Sequence, residues 1–143
     1  AVHTEGDRDG LERTIAAIGE VDKGLIFANL VDLDMRYGHR ENPEGYAEGL
    51  AVIDEFIPHL IGALTPLDLL IFTADHGNDP TDGDTDHTRE YVPLLAWSGG
   101  AAGVVLGARE QYCDIAATVA DGFDLEPFPI GESFLPDITH HHS

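Results

Sequence analysis

Five side chains able to grip a divalent cation fall in three short stretches of this 143-residue chain. They are Asp34 and His39, the adjacent pair Asp75 and His76, and His87. The set offers carboxylate oxygen and imidazole nitrogen, without a thiolate. Imidazole suits zinc, manganese and iron, and carboxylate shifts the preference toward harder ions. Five ligands exceed what one tetrahedral ion needs, so the set fits two ions a few ångström apart, with water or a phosphate oxygen bridging them. Arg36, Arg40 and Arg89 are three of only 7 basic residues, and each lies within a few positions of a proposed ligand. They are candidates for holding phosphate or pairing with a ligand carboxylate. The alternative, solvated charges that balance nearby Asp, stays open. Any one of these His residues alone reads as an ordinary solvated side chain; their joint placement is what points to a site.

That placement depends on the elements between them. Gly24–Val31 is apolar and nearly continuous, the pattern of a strand buried on both faces. Leu69–Ala74 reads as a second buried strand and Tyr91–Trp97 as a third, with Pro93 marking an edge or an irregular start. Asp34 and His39 follow the first strand, Asp75 and His76 follow the second, and His87 lies in the loop entering the third. Ligands of open α/β sheets bind beyond the carboxyl ends of the strands, so the five would gather at one sheet edge. Neighbouring residues alternate faces within a strand, so Asp75 and His76 can converge only where the backbone turns.

Helices separate the strands. Asp9-Gly10-Leu11-Glu12 reads as a capping box, with Leu11, Ile15 and Ile18 following at helical spacing. Asn42-Pro43 reads as an N-cap with Pro at the first helical position. Tyr46, Leu50, Ile53, Ile57, Leu60 and Leu64 then form one apolar face, which Pro58 should kink or divide. Tyr112–Phe123 carries a weaker helical pattern. Ser98–Gly103 reads as a glycine-rich turn, and the C-terminus with Pro127, Pro129 and Pro136 as loop, with residues 136–143 a flexible tail. The alternation predicts an α/β layer structure, without repeats and without a linker between domains.

Composition limits the partners. The 27 acidic and 7 basic residues give a net charge of −20. Such a surface disfavours nucleic acid, which needs a basic face, and disfavours anionic membranes. The 43% hydrophobic content is ordinary for a globular core. Apolar runs fall short of the ~18 residues that span a bilayer, and no secretory signal is visible, so a cytoplasmic protein is expected. The acidity is also what a salty cytoplasm would favour.

Competing motifs fail. Asp82-Gly83-Asp84-Thr85-Asp86 resembles the start of a calcium loop, but His87 stands at the sixth position and Pro93 at the twelfth. Gly131-Glu132-Ser133-Phe134-Leu135 begins like a nucleophile elbow but ends in Leu. Cys113 is single, which excludes an internal disulfide, and reads as a small core residue. His140-His141-His142 reads as a terminal tract without a functional role.

Several stretches together resemble the phosphopentomutase family of the alkaline phosphatase superfamily. They are Asn29-Leu30-Val31-Asp32-Leu33-Asp34, Tyr37-Gly38-His39-Arg40, Thr73-Ala74-Asp75-His76-Gly77 and Thr85-Asp86-His87-Thr88-Arg89-Glu90, with Gly107-Ala108-Arg109-Glu110 and Gly131–Leu135 resembling the family's closing segments. Thr-Ala-Asp-His-Gly marks only the superfamily, while the step from Asp34 to His39 and the Asp-His-Thr-Arg-Glu run narrow it. The resemblance implies an alkaline-phosphatase-like sheet flanked by helices, here only its C-terminal part without the cap domain. It implies interconversion of ribose 1-phosphate and ribose 5-phosphate, or their deoxyribose analogues, with two manganese ions; zinc and magnesium are the other candidates. By motif, Asp34, His39 and His87 would hold one ion, and Asp75 and His76 part of the second.

The family carries its phosphorylated Thr and a further Asp ligand in an N-terminal segment that nothing in this chain matches. The expectation is therefore a protein inactive as a mutase alone, completed by an N-terminal half and cap or by self-association. Another superfamily enzyme (a phosphatase or a cofactor-independent phosphoglycerate mutase) and a non-catalytic metal-binding remnant are the alternatives.

Overall fold

The computed structural model describes residues 1–83, 85–99 and 103–139. It divides into two compact units: Ala1–Leu64 with Thr73–Leu94, and Thr65–Phe72 with Leu95–Ser143.

The first unit is built on two helices, α1 (Asp7–Glu20) and α2 (Pro43–Ala63). The start of α2 is set locally: the Asn42 side chain accepts from Gly45 N at 3.0 Å, and Pro43 occupies the first turn, where its missing N–H costs nothing. Pro58 does not divide the helix, which continues to Ala63. The buried face of α2 holds Gly45, Phe56 and Leu60, whereas Leu50 of the expected stripe is exposed. Leu11 of α1 is buried as well. Arg8 pairs with Glu55 at 3.1 Å and lies 5.1 Å from the Phe56 ring centre, tying α1 to α2.

The start of α1 differs from the expected capping box. The helix begins at Asp7 after Gly6, so Asp9 sits inside the first turn, where it accepts from Glu5 N and pairs with Arg13 at 2.8 Å. That Arg13 contact, with the Glu5 N–H, holds the Asp9 carboxyl below its usual range. The first-turn anchor is Asp7, only 4% exposed. Asp7 N donates to Asp32 Oδ2 and Asp32 N donates to Asp7 Oδ1, both at 3.0 Å. Asp7 Oδ2 is buried without a partner, and burial raises the Asp7 carboxyl above its usual range. A raised native value means that the unfolded chain loses this proton first as pH rises. The Asp7 contribution is then fully favourable below the unfolded value and is lost as pH climbs through the native one. Asp7→Asn keeps an acceptor for Asp32 N and removes the charge. It is expected to flatten that acidic limb in urea denaturation series across pH, with stability at neutral pH equal or higher. Asp7→Ala strands the Asp32 N–H and is expected to cost about 1–3 kcal/mol at neutral pH.

The apolar run Gly24–Val31 is not a ladder strand. It is irregular chain, with Leu25 65% and Phe27 85% exposed. The reading of a strand buried on both faces is corrected here: among the described residues nothing pairs with it in a sheet. Ile26 and Leu30 are the half-covered residues of the run, and Leu30 is seated so close to α1 that a Cβ on Gly10 would lie 3.0 Å from its Cδ2.

The second unit holds the only sheet among the described residues. β1 (Leu69–Phe72) pairs antiparallel with β2 (Leu95–Ser98), in the register Leu69↔Ser98 to Phe72↔Leu95. The strands are shorter than expected and half-buried apart from the exposed Leu95, and with the helices they make a mixed α/β structure. β2 begins past Pro93, as a residue without an N–H donor requires. The expected Ser98–Gly103 turn lies largely outside the described residues, as does His140–His142.

The α3 helix (Cys113–Gly122) and a short α4 (Leu135–Thr139) complete this unit. The expected loop-like tail is thus helical through Thr139, with Ile138 buried because it packs into this small core. Phe134 and Thr118 are fully covered, and Thr118 Oγ1 accepts from Phe134 N at 3.0 Å while donating to Asp114 O. Arg109 lies 3.2 Å from Asp137 and 3.9 Å from Asp114, and 5.4 Å from the Phe134 ring centre. The two closing segments therefore meet in one structural cluster. Cys113 is half-covered at the start of α3, with Sγ 3.1 Å from Gln111, rather than a core residue.

Candidate metal centre

The cluster of acid and imidazole groups lies wholly within the first unit. Asp34 and His39 sit at either end of a π-helical turn, Leu33–Gly38, in which His39 N donates to Asp34 O at 3.0 Å. In an α-helix a five-residue step turns the chain by roughly 500°, leaving the two side chains about 140° apart. A bond closed five residues back instead brings residues of that spacing to the same side, which is why such turns recur at functional sites. The turn is braced by α2. A Cβ on Gly45 would lie 2.5 Å from the Tyr37 ring, and one on Gly49 would lie 2.7 Å from Leu33 Cδ2. Only glycine lets the turn approach α2 this closely.

His87 reaches the turn through a backbone bridge. Thr88 N donates to Gly77 O at 3.0 Å, so the loop carrying Asp75 and His76 runs beside the segment carrying His87. The His76 and His87 rings stack with centres 3.5 Å apart. Within the same loop, Asp79 caps its own turn by accepting from Thr81 Oγ1 and N. The Thr81 hydroxyl, then its N–H, holds the Asp79 carboxyl below its usual range.

The three groups Asp34, His39 and His87 converge. Asp34 Oδ1 is 3.3 Å from His39 Nε2 and 3.4 Å from His87 Nε2, and the two Nε2 atoms are 3.2 Å apart. His76 Nε2 stands further out, 4.0 Å from Asp34 Oδ1. Asp75 is the most open of the five, its side chain 84% exposed, with Oδ1 3.6 Å from His76 Nε2. All five expected ligands are thus neighbours, but in two grades: a tight triangle, and a looser Asp75–His76 pair beside it. Burial and the nearby Asp34 charge together push the Tyr46 phenol above its usual range.

These residues fit a divalent cation. Ligand atoms about 2.0–2.2 Å from a tetrahedral ion lie about 3.3–3.6 Å from one another, close to the 3.2–3.4 Å edges of the triangle. Two of the three histidines are also held in the right tautomer. His39 Nδ1 donates to Thr85 O, and His76 Nδ1 to Gly77 O at 3.1 Å. A carbonyl only accepts, so Nδ1 carries the proton and Nε2 of the neutral ring presents a lone pair to the site. Backbone carbonyls holding the outer nitrogen of a ligating His are the usual support of such centres. Three lone-pair atoms this close repel one another unless a cation or a proton lies among them.

Of the three arginines, Arg36 pairs with Asp32 at 3.1 Å, while Arg40 and Arg89 are exposed. Sequence reasoning did not single out Asn78, whose Nδ2 donates to Asp34 Oδ1 at 3.2 Å. Its signal was its place three residues past Asp75 in the same short polar loop. The Thr85 carbonyl leaves no signal in side-chain identity.

An Asp/His cluster of this spacing is able to hold a metal ion, and sequence comparison points to a class of metal-dependent proteins. The metalloenzyme superfamily model matches residues 2–127, and the chain belongs to that superfamily. More narrowly, it is similar to phosphopentomutases. It is 50% identical to the phosphopentomutase of Anaeromyxobacter sp. (strain K) over 96% of this chain and 35% of that relative. It is also 50% identical to that of Kosmotoga olearia over 96% of this chain and 36% of the relative. With the phosphopentomutase of Alkaliphilus metalliredigens the identity is 47% over 94% of this chain and 35% of the relative. The chain therefore spans about a third of the length of these relatives. Among the described residues no helix is long and apolar enough to cross a membrane.

Proposed function

We propose that this chain forms the metal-binding part of a phosphopentomutase-type isomerase acting on the 1-phosphates and 5-phosphates of ribose and deoxyribose. The observation that carries this reading is the Asp34–His39–His87 triangle of 3.2–3.4 Å, set in a sequence half identical to phosphopentomutases. We assign Asp34, His39 and His87 to one divalent ion, with manganese first among the candidates. Asp75 and His76 supply part of the site for a second. Bound ions would offer positive charge to the phosphoryl oxygens and acidify an attacking hydroxyl.

The chain's own residues do the rest of the work at this site. His39 and His76 commit their Nδ1 protons to backbone carbonyls, so they serve as ligands rather than proton donors. Arg40 and Arg89 are open to solvent and are the side chains of choice for a substrate phosphate; Arg36 is engaged by Asp32. A net charge of −20 repels a sugar phosphate at long range, and divalent cations reverse the sign locally.

We assign the phosphorylated Thr and the remaining Asp ligand to the part of such an enzyme outside the matched span. The same part, or a second copy of this chain, would cover the uncovered Leu25–Phe27 stretch. A cytoplasmic setting belongs to the same reading. The test is phosphorus NMR of ribose 5-phosphate with Mn2+ and this chain, alone and mixed with a polypeptide comprising the remaining part of a close relative. Isomerisation in the mixture and none from either component supports the reading. A mixture that forms a complex, holds metal and leaves the sugar phosphate unchanged overturns it.

A further inference from the structure

We infer that Asn78 is a positioning residue that aims the Asp34 carboxylate at the metal site and so sets the affinity of that site. The inference deepens the metal-binding reading above and rests on it. Asn78 Nδ2 lies 3.2 Å from Asp34 Oδ1, the same oxygen on which His39 Nε2 and His87 Nε2 converge at 3.3 and 3.4 Å. The amide orientation follows from chemistry: its oxygen against a carboxylate oxygen would be repulsive, so the N–H2 faces Asp34.

The amide is also packed against the backbone of the turn. Gly38, buried at the end of the π-helical turn, sits so close that a Cβ there would lie 2.1 Å from Asn78 Nδ2 and 2.6 Å from its Cγ. Asn78 is therefore wedged between the backbone of the turn and the carboxylate the turn carries. A carboxylate hinges about its last side-chain bond, and either oxygen can face a cation. The Asn78 bond occupies one lone pair of Oδ1, fixes the plane of the group, and leaves the other Oδ1 lone pair toward the two imidazoles. The wedge also joins two ligand-bearing segments, the turn holding Asp34 and His39 and the loop holding Asp75 and His76, by one neutral donor. An amide does this without adding charge or competing for the ion. Outer partners of this kind are worth about 10–100-fold in metal affinity.

The experiment is Mn2+ titration of the full chain followed by electron paramagnetic resonance, with thermal melts of the metal-free proteins alongside. The proteins are wild type, Asn78→Leu, Asn78→Ala, Asn78→Ser and, as the ligand control, Asp34→Ala. Leu has the branching of Asn, is bulkier, and donates no hydrogen bond. Asn78→Leu and Asn78→Ala are each expected to bind Mn2+ about 10–100-fold more weakly. The bound-ion spectrum should broaden, because an unrestrained carboxylate samples more than one geometry. Asn78→Ser, which keeps a hydroxyl donor, is expected to recover part of the affinity. A role in packing alone would leave the bound-ion spectrum unchanged. Should Asn78→Leu not fold, Asn78→Ala carries the same comparison, since it only leaves space. Wild-type affinity and spectrum in the Leu or Ala variant overturn the inference while leaving the metal reading intact. Absence of Mn2+ binding by the wild type, or binding unaffected by Asp34→Ala, overturns the metal reading and this inference with it.

Discussion

Asp34→Ala is expected to weaken Mn2+ and Zn2+ binding by more than the about 10–100-fold that loss of an outer-shell partner costs, which places it beyond roughly 100-fold. The reason is geometric. Asp34 Oδ1 is the common vertex of the cluster, 3.3 Å from His39 Nε2, 3.4 Å from His87 Nε2 and 4.0 Å from His76 Nε2. It is also the only negative charge in the tight triangle. Removing it leaves two neutral imidazoles facing each other at 3.2 Å, with a third ring stacked behind. His87→Ala is expected to cost less than Asp34→Ala, because His76 stands near enough to Asp34 to take part in its place. Calorimetric titration of each variant against the wild type measures both effects. The assignment fails if both variants bind within threefold of the wild type.

The ranking of those two variants was not visible in the spacing of the residues, and the reason is instructive. The motif places Asp34 and His39 five residues apart, a step that separates side chains on an ordinary helix. What reunites them is a π-helical turn whose His39 N–H bonds Asp34 O. That turn is stabilised from outside by glycines of α2, residues that look unremarkable in a helical pattern. By contrast the start of α2 was legible, because an Asn cap followed by Pro is satisfied within one turn and needs no distant partner. The run Gly24–Val31 failed for the opposite reason. Apolar composition reports that a segment prefers burial, not that something is there to bury it, and Phe27 remains open in this chain. Strand pairing is a property of two segments, so β1 and β2 were located in the sequence while their antiparallel register was not. The five side chains gather without the expected sheet edge because their placement rests on the turn and on a backbone bridge.

That bridge is the basis of the second large effect. Gly77→Ala is expected to lower Mn2+ affinity by about 10–100-fold and to cost about 1–3 kcal/mol of stability in the metal-free chain. A Cβ on Gly77 would lie 2.7 Å from Glu90 N and 2.8 Å from Thr88 O. Both contacts are backbone, so no side chain can swing away to relieve them, and the two segments must separate. Separation breaks the Thr88 N–H to Gly77 O bond at 3.0 Å. It also disturbs the Gly77 carbonyl that holds His76 Nδ1, and moves His87, which is one residue from Thr88. One methyl group thus acts on two ligands without touching either. Gly19→Ala is the matched control, since nothing lies within 4 Å of a Cβ there and the position is helical. It is expected to gain about 0.5–1 kcal/mol and leave metal affinity unchanged. Urea denaturation in EDTA separates the stability term from the titration of Mn2+. If Gly77→Ala is destabilised yet binds Mn2+ like the wild type, the bridge serves the fold alone. His87 would then be seated by its stack on His76 and by its contacts to Asp34 and His39.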